Sequence, residues 1–435
     1  GNFRRVPGMW RMMVLAMLAA LPAQAQLRAG VAAVSITPLE EGIPTQLGGY
    51  GARNGEPAKG VLDTLYGKAL VFEFNGQKSA VVTVDTCSVP ICVVEEAVAK
   101  ASVGGLTSDR ALIAASHSHT GLEGFALDRR NIANNPHIGI FSEEMLGFVT
   151  DRLAKALREA DGALQPVTAA AGTVDLPNRN RNRRGDDCVD PGLTVLRLDK
   201  ADGSPYAVLV NFTAHGTFVD ETDMLVSGEW AGQMQRTVEA MMDGVTCLYT
   251  NGAEGDQAPS GRHGGSHYEH AQNYGLRVGI AAARLAETLK SAPVETFALQ
   301  TQWVALPERK GAPDFIKIAG DEYHVTQEEL DLLLTIMFPE KAPLGALRVN
   351  DFQMITFPGE PICLIGSAVK DEMRNAGIAY PCVTSLTNDG IGYILTPDEY
   401  NQSGYEVTAS FYGDSLGPLL QEKATELAKA VATQK

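Results

Sequence analysis

Two histidines, His117 and His119, stand one residue apart in the segment 116–121, directly after the apolar run 111–115. A short apolar run bounded by polar residues predicts a buried strand. Residues i and i+2 of an extended chain point to the same side, so both imidazoles should leave the strand end together. Such a pair can bind a metal ion, or one ring can bind it while the other moves protons. The spacing alone leaves open a second interpretation, a pair of hydrogen-bonded loop histidines.

Two further polar side chains follow apolar runs in the same manner. His215 comes shortly after the run 205–212, and Glu360 comes shortly after the run 351–357. Ligands of α/β proteins gather outside the carboxyl ends of strands, so we expect both side chains to approach His117. Two imidazoles and a carboxylate form a catalytic zinc site that leaves a position for water or substrate. A hydrogen-bonded structural role for each histidine is the alternative.

The elements that must position these residues can be predicted from other segments. Asn75-Gly76 lies between two apolar runs and predicts a hairpin, and 245–250 predicts a further strand. Thr326 and Glu329 form a capping box ahead of a leucine-rich segment. Helical periodicity appears in four longer segments, which are 143–160, 231–242, 268–290 and 418–432. Strands and helices alternate irregularly, which predicts a mixed α/β fold, with 26–435 as one large catalytic domain.

Composition limits the partners. The 435 residues carry a formal net charge of −16, with 45% hydrophobic and 20% charged residues. A strongly acidic chain is a poor partner for nucleic acid and for anionic lipid. The balance is compatible with an enzyme that acts on a neutral or cationic small molecule.

The segment 1–25 has the pattern of a cleavable export signal. Positive charge precedes an apolar stretch at 12–21, and Ala23-Gln24-Ala25 has the form of a cleavage site. The apolar stretch is too short to span a bilayer, so we expect no stable membrane insertion of the mature chain. A periplasmic or secreted location is predicted.

Six cysteines in an exported chain permit disulfides. Fifteen full pairings are open, and Cys87 and Cys92, the nearest pair along the chain, are candidates for a disulfide that closes a small loop. No CxxC pattern occurs, which argues against a zinc site made of thiolates.

A series of short motifs carries a resemblance to a known family. They are Gly30–Pro38, Leu65–Leu70, Ser116–Gly121, Asn211–His215, Ser227–Gly232, Gly255–Pro259, Phe357–Glu360, Gly392–Tyr400 and Gly404–Glu406. In this order, from about residue 28 to 412, they resemble the N-terminal catalytic domain of the neutral, non-lysosomal ceramidases, a family of zinc-dependent amidases. The resemblance implies the mixed α/β fold of that domain.

Carried over residue by residue, the resemblance implies that one zinc ion per chain is held by His117, His215, Glu360 and Tyr393. It places His119 beside the metal as a proton carrier or oxyanion donor, and Tyr405 as a residue that polarises the scissile carbonyl. An active-site arginine of the family falls in the repeat Asn178–Arg183, whose register is open among Arg179, Arg181 and Arg183. Arg181 is the residue we select.

Two departures from the family pattern affect the expected reaction. The family loop Gly-Asp-x-Ser-Pro reads Gly255-Asp256-Gln257-Ala258-Pro259 here, so Ala258 replaces a serine once assigned as nucleophile. The resemblance covers the catalytic domain alone, so we expect the chain to lack the C-terminal β-sandwich domain of true ceramidases. An exported hydrolase that cleaves an N-acyl amide of a small molecule or lipid is predicted. The alternatives are an esterase or other amidohydrolase with a small non-lipid substrate, and a non-catalytic zinc-binding homologue.

Overall fold

The computed structural model describes Gly1 and residues 26–434. The predicted export signal at 1–25 lies outside the described residues, apart from Gly1. The strands of the described chain, numbered in chain order, are β1 Arg28–Ser35, β2 Gly60–Val61, β3 Tyr66–Phe74, β4 Gln77–Val84, β5 Ala111–Ala115, β6 Gln165–Asp175, β7 Asn180–Asn182, β8 Gly192–Lys200, β9 Pro205–Phe212, β10 Leu225–Val226, β11 Thr246–Asn251, β12 Gln257–Pro259, β13 Phe297–Ala305, β14 Lys341–Val349, β15 Phe352–Thr356, β16 Glu360–Pro361, β17 Tyr380–Thr384 and β18 Tyr393–Ile394.

Helices of the described chain occur between and after these strands. They are α1 Ile91–Ala101, α2 Glu143–Gly162, α3 Glu229–Met241, α4 His267–Thr288, α5 Phe315–Tyr323, α6 Gln327–Met337, α7 Cys363–Asn375, α8 Pro397–Asn401, α9 Tyr405–Thr408 and α10 Leu416–Ala432. The fold is therefore mixed α/β, as predicted. None of the helices in residues 26–434 combines the length and the apolar character that a bilayer crossing requires.

The longer strands form two sheets. One has the order β11-β9-β8-β6-β1-β3-β4-β5 and joins its two halves through a short antiparallel pairing of β1 with β6. The other has the order β13-β14-β15-β17. Three neighbouring pairs are parallel, namely β4 with β5, β9 with β11, and β15 with β17. Each sheet therefore mixes parallel and antiparallel pairs.

Most of the strands are buried on both faces. In β3, Leu70 and Phe72 face a core shared by both sheets, whereas Ala69 and Val71 face a core shared with α2. The same alternation in β9 separates Leu209 from neighbours that pack on α3 and α4. This double burial explains why the strands appear in the sequence as continuous apolar runs.

The predicted elements are confirmed with small changes at their ends. The hairpin turns at Asn75-Gly76 between β3 and β4, and the capping box at Thr326 and Glu329 starts α6. The suggested Cys87–Cys92 pairing is wrong, because Cys188 is bonded to Cys363 while Cys87 and Cys92 remain thiols. Cys188 and Cys363 lie 175 residues apart in the chain, so sequence spacing gave no sign of this bridge.

Candidate functional site

The first site residues are delivered by the chain that follows β5. The strand ends at Ala115, and His117 adopts a left-handed backbone conformation with φ of 64°. The strand prediction places the two histidines on an extended chain. This placement is wrong, because the backbone turns at His117. Their rings nevertheless meet, with His119 Nε2 3.3 Å from His117 Nε2. A non-glycine residue at positive φ is held there by its surroundings and is often found at functional sites.

His215 and Glu360 reach the same place from two other strands. His215 follows β9, and Glu360 begins β16, which pairs in parallel with β18 so that Glu360 lies directly beside Tyr393. His117 Nε2 lies 3.1 Å from His215 Nε2, and Glu360 Oε2 lies 3.4 and 3.3 Å from these two nitrogens. Tyr393 contributes its hydroxyl, 3.3 Å from His215 Nε2. We refer to these four side chains as the ligand cluster.

Hydrogen bonds fix the orientation of both imidazoles in the ligand cluster. His117 Nδ1–H donates to the Cys87 carbonyl at 2.7 Å, and His215 Nδ1–H donates to the Glu254 carbonyl at 2.8 Å. Each Nε2 is therefore directed at the other, and at most one proton fits between them. A metal-binding histidine usually donates its Nδ1–H to a carbonyl in this way while Nε2 binds the ion.

The ligand cluster attracts positive charge. Burial opposes the charged form of His117, yet Glu360 raises the pKa of His117 well above its ordinary value. Burial opposes ionisation of Glu360 as well, but the two imidazoles hold its pKa well below the usual range. Glu360 Oε2 receives no hydrogen bond from any described residue. The Glu360 oxygen and the two imidazole nitrogens thus converge on one point, with fewer protons than are needed to hydrogen-bond all three atoms.

The residues present fit a zinc ion. Atoms that lie ~2.1 Å from one tetrahedral ion are ~3.4 Å from one another. The separations of 3.1 to 3.4 Å between the nitrogens and the Glu360 oxygen match that spacing. Two nitrogens and one carboxylate are also the ligand types of catalytic zinc sites, and the phenol of Tyr393 is the unusual member.

Of the three candidate arginines, the structure brings Arg183 to the ligand cluster. Arg183 Nη2 donates to the Tyr393 hydroxyl at 2.8 Å and to the Gly255 carbonyl at 3.0 Å, and the guanidinium pairs with Glu406. Arg181 is exposed on β7, opposite Ala258 of β12. Our selection of Arg181 as the active-site arginine stays a prediction, although the structure brings Arg183 and not Arg181 to the ligand cluster. The repeat offered no means to choose, because β7 ends at Asn182 and the backbone turns inward only afterwards.

His119 and Tyr405 also lie at the site. His119 is buried, its Nδ1 has no hydrogen-bond partner among the described residues, and its ring lines the cleft described below. Burial and the neighbouring His117 and His215 hold the pKa of His119 well below its ordinary value, so this imidazole is neutral. Tyr405 is 43% exposed and lines the same cleft, with its ring centroid 6.0 Å from that of Tyr393.

Glu229 is a residue that the sequence did not single out, although it lies in the quoted motif Ser227–Gly232. Its carboxylate accepts hydrogen bonds from the backbone N–H groups of His119 at 2.5 Å and Thr120 at 3.0 Å, and from the Ser118 hydroxyl at 3.1 Å. It is buried, and its own backbone has a φ of 51°. A buried glutamate that accepts three bonds from one loop fixes the position of that loop.

The same carboxylate also reaches the segment that follows His215. A Cβ added to Gly216 would lie 2.7 Å from the His117 carbonyl oxygen and 3.0 Å from Glu229 Oε2. Glycine is required at 216 because backbone and carboxylate approach this closely. Glu229 therefore contacts both loops that carry the histidines of the ligand cluster.

Three members of the ligand cluster, His117, Glu360 and Tyr393, line a cleft of about 1200 Å³, open solvent at its mouth included. One side of the cleft is apolar and comes largely from α5, α6 and the residue after α6. We call this side the apolar wall, and its residues are Phe315, Leu330, Leu333, Met337 and Phe338. Ala258 does not line the cleft and is buried in β12.

Comparison with known proteins identifies the family. The family model "Neutral/alkaline non-lysosomal ceramidase, N-terminal" matches residues 28–260. The chain belongs to this family.

Several neutral ceramidases are similar to part of this sequence. Neutral ceramidase B and neutral ceramidase A of Dictyostelium discoideum are each 25% identical, over 229 and 256 residues, or 45% and 51% of the chain. The matched regions span 30% and 34% of the two relatives' own length, so the chain covers about a third of each. Neutral ceramidase of Pseudomonas aeruginosa is 21% identical over 413 residues, which is 75% of the chain and 60% of that relative.

A solved structure shares the fold. The crystal structure of neutral ceramidase from Pseudomonas aeruginosa superposes with a TM-score of 0.77 at 19% identity. The superposition covers 94% of this chain and 75% of that chain. The mixed α/β fold is thus the fold of the neutral ceramidases.

Proposed function

We propose that the chain is a zinc-dependent hydrolase that cleaves the N-acyl bond of a lipid-like amide, in the manner that the family name implies. The observation that carries the proposal is the ligand cluster, because His117 and His215 direct Nε2 atoms with fixed tautomers at one point beside Glu360. His117, His215, Glu360 and Tyr393 would hold one zinc ion. Bound there, zinc would lower the pKa of a water molecule toward neutrality and polarise a carbonyl group.

The side chains around the ligand cluster provide proton transfer and charge stabilisation. His119 is neutral and buried, and its Nε2, which lies 3.3 Å from His117 Nε2, would exchange a proton with the leaving amine nitrogen. Tyr405 lines the cleft, and its hydroxyl would donate to the amide oxygen as negative charge develops on it. Arg183 donates to the Tyr393 oxygen and so favours the phenolate form that a metal ligand needs.

The apolar wall supports an acyl chain as the occupant of the cleft. Burial of hydrocarbon against five apolar side chains stabilises a bound chain by about 0.8 kcal/mol per methylene group. This favours a lipid amide over a small polar one. Covalent catalysis from position 258 is excluded, since alanine has no nucleophilic group and Ala258 lies outside the cleft. Export and a single catalytic domain over 26–435 stay predictions.

The proposal is tested on the purified chain by metal analysis and by hydrolysis of matched substrates. We expect about one zinc ion per chain, loss of activity on chelation, and recovery when zinc is added back. A dodecanoyl amide and the corresponding ester, compared by kcat/KM, establish the bond that is cleaved. A metal-free preparation with full activity would overturn the zinc assignment, and cleavage of the ester alone would overturn the amidase assignment.

A further inference from the structure

A carboxylate that the reaction above does not use lies in the cleft. Glu123 lies four residues after His119 in the sequence, and it lines the same cleft as the ligand cluster. One of its oxygens, Oε1, accepts the backbone N–H of Phe125 at 3.1 Å. The residue as a whole is partly buried and lines the cleft, so a molecule bound in the cleft contacts it.

No basic side chain of the described residues neutralises Glu123. The nearest guanidinium, that of Arg53, donates to four backbone carbonyls and makes no ion pair with it. These carbonyls belong to Gly48, His119, Asp220 and Asp223, at 2.5 to 3.0 Å. Burial raises the pKa of Glu123 to about 7, and the backbone donors and Arg53 only partly oppose this rise. The cleft therefore contains a proton acceptor without a counter-ion.

Glu123 is close to the reacting end of the cleft. Gly49 separates it from His119, since a Cβ added at Gly49 would lie 2.4 Å from the His119 ring, and the Gly49 N–H acts on the Glu123 carboxyl. The carboxylate is thus one backbone residue away from the imidazole that serves the leaving amine. A substrate whose amide bond lies at the ligand cluster occupies the same cleft that this carboxylate lines.

We propose that Glu123 selects the amine half of the substrate, favouring amides that carry a hydroxyl or ammonium donor on that half and rejecting those that carry a carboxylate. This inference rests on the proposed function. A saturated acyl chain has no donor, so a donor that reaches Glu123 must belong to the amine half. An unpaired carboxylate accepts from such a group with a charge-assisted hydrogen bond, whereas a substrate carboxylate beside it is repelled in a partly desolvated cleft.

Three substrates with the same dodecanoyl chain test the proposal. Their amine halves are ethylenediamine, which carries an ammonium, ethanolamine, which carries a hydroxyl, and glycine, which carries a carboxylate. At about pH 8 Glu123 is mostly ionised, and we expect kcat/KM to fall in the order ammonium, hydroxyl, carboxylate. Glu123→Gln should reduce the ratio of ammonium to carboxylate substrate by at least about tenfold.

The matched control is Glu322→Gln. Glu322 is an exposed residue of α5, so this variant removes the same charge from the cleft side of the protein without touching the cleft lining. We expect its substrate ratio to stay within twofold of the wild type. Zinc content should persist in Glu123→Gln, which shows that the ligand cluster is intact.

The outcomes separate this inference from the proposed function. If the wild-type chain cleaves none of the three amides and binds no zinc, the proposed function fails. If it cleaves them and Glu123→Gln leaves the ammonium-to-carboxylate ratio within twofold, the selection by Glu123 is overturned. A shift of equal size in Glu322→Gln also overturns it, because the effect would then come from overall charge.

Discussion

In the ligand cluster the side chains are held by directional bonds from backbone groups, whereas the apolar wall is held by contacts without direction. His117 and His215 each have one nitrogen fixed by a backbone carbonyl, and Glu229 fixes the loop that follows His117. The side chains of the apolar wall, such as that of Leu333, have no nitrogen or oxygen atoms through which hydrogen bonds could orient them. Hydrogen bonds lose most of their value when geometry changes, but burial of hydrocarbon scales with area. The cluster should therefore tolerate almost no change, and the wall should respond in proportion to the atoms removed.

The largest effect is expected from His215→Ala. Loss of one imidazole from the ligand cluster should abolish stoichiometric zinc binding and lower kcat/KM by at least about 10³-fold, since both the metal and its effect on water are lost. Zinc content by mass spectrometry and amide hydrolysis measure this. His137→Ala is the control, because His137 lines the cleft without belonging to the cluster. Equal loss of zinc in both variants would contradict the assignment.

A comparison of Arg183→Ala with Arg181→Ala distinguishes the two arginines. Arg183 bonds the Tyr393 oxygen, so its removal should reduce kcat/KM by about 10²-fold, the cost of one positioned charge at a reacting centre. Arg181 is exposed and should change the rate by less than twofold. Melting temperatures of both variants show whether lost pairing with Glu406 accounts for the result. Comparable rates for the two variants would contradict the role of Arg183 at the ligand cluster.

For Glu229 the two substitutions Glu229→Gln and Glu229→Ala should differ. Glutamine keeps an acceptor for the N–H groups of His119 and Thr120, whereas alanine leaves them without a partner. We expect Glu229→Ala to weaken zinc affinity by about 10- to 100-fold, as for other residues that orient a metal ligand. Glu229→Gln should retain most of that affinity. Chelator competition measures it, and equal zinc affinity in Glu229→Ala and the wild type would remove the positioning role.

The smallest effect is expected at the apolar wall. Leu333→Ala should lower kcat/KM about tenfold for a dodecanoyl amide and less than twofold for an acetyl amide, with zinc content unchanged. The adjacent Leu332→Ala is a close control, because Leu332 is 57% exposed and does not line the cleft. A similar loss on both chain lengths would show that α6 supports the ligand cluster instead of the acyl chain.

The sequence predicted the positions of strands and helices better than it predicted the directions in which the site side chains point. Continuous apolar runs gave β4, β5, β9 and β11 because strands buried on both faces need no alternation. His117 and His119 were expected to share a side of an extended chain, yet the turn at His117 brings their rings together. The Asn-Arg repeat contained the arginine that reaches the ligand cluster, Arg183, but the chain beyond the end of β7 places it there.

By itself the sequence determined the chemistry that is available: two imidazoles, a carboxylate and a phenol in motifs of one family, with alanine in place of the serine at 258. It determined as well which segments are buried, because apolar content fixes burial locally. The tertiary structure decided the convergence of the ligand cluster, the orienting role of Glu229 and the placement of Glu123 in the cleft. These depend on strands from both sheets ending at one place and on backbone carbonyls distant in the chain, which only long-range packing can bring within hydrogen-bond distance.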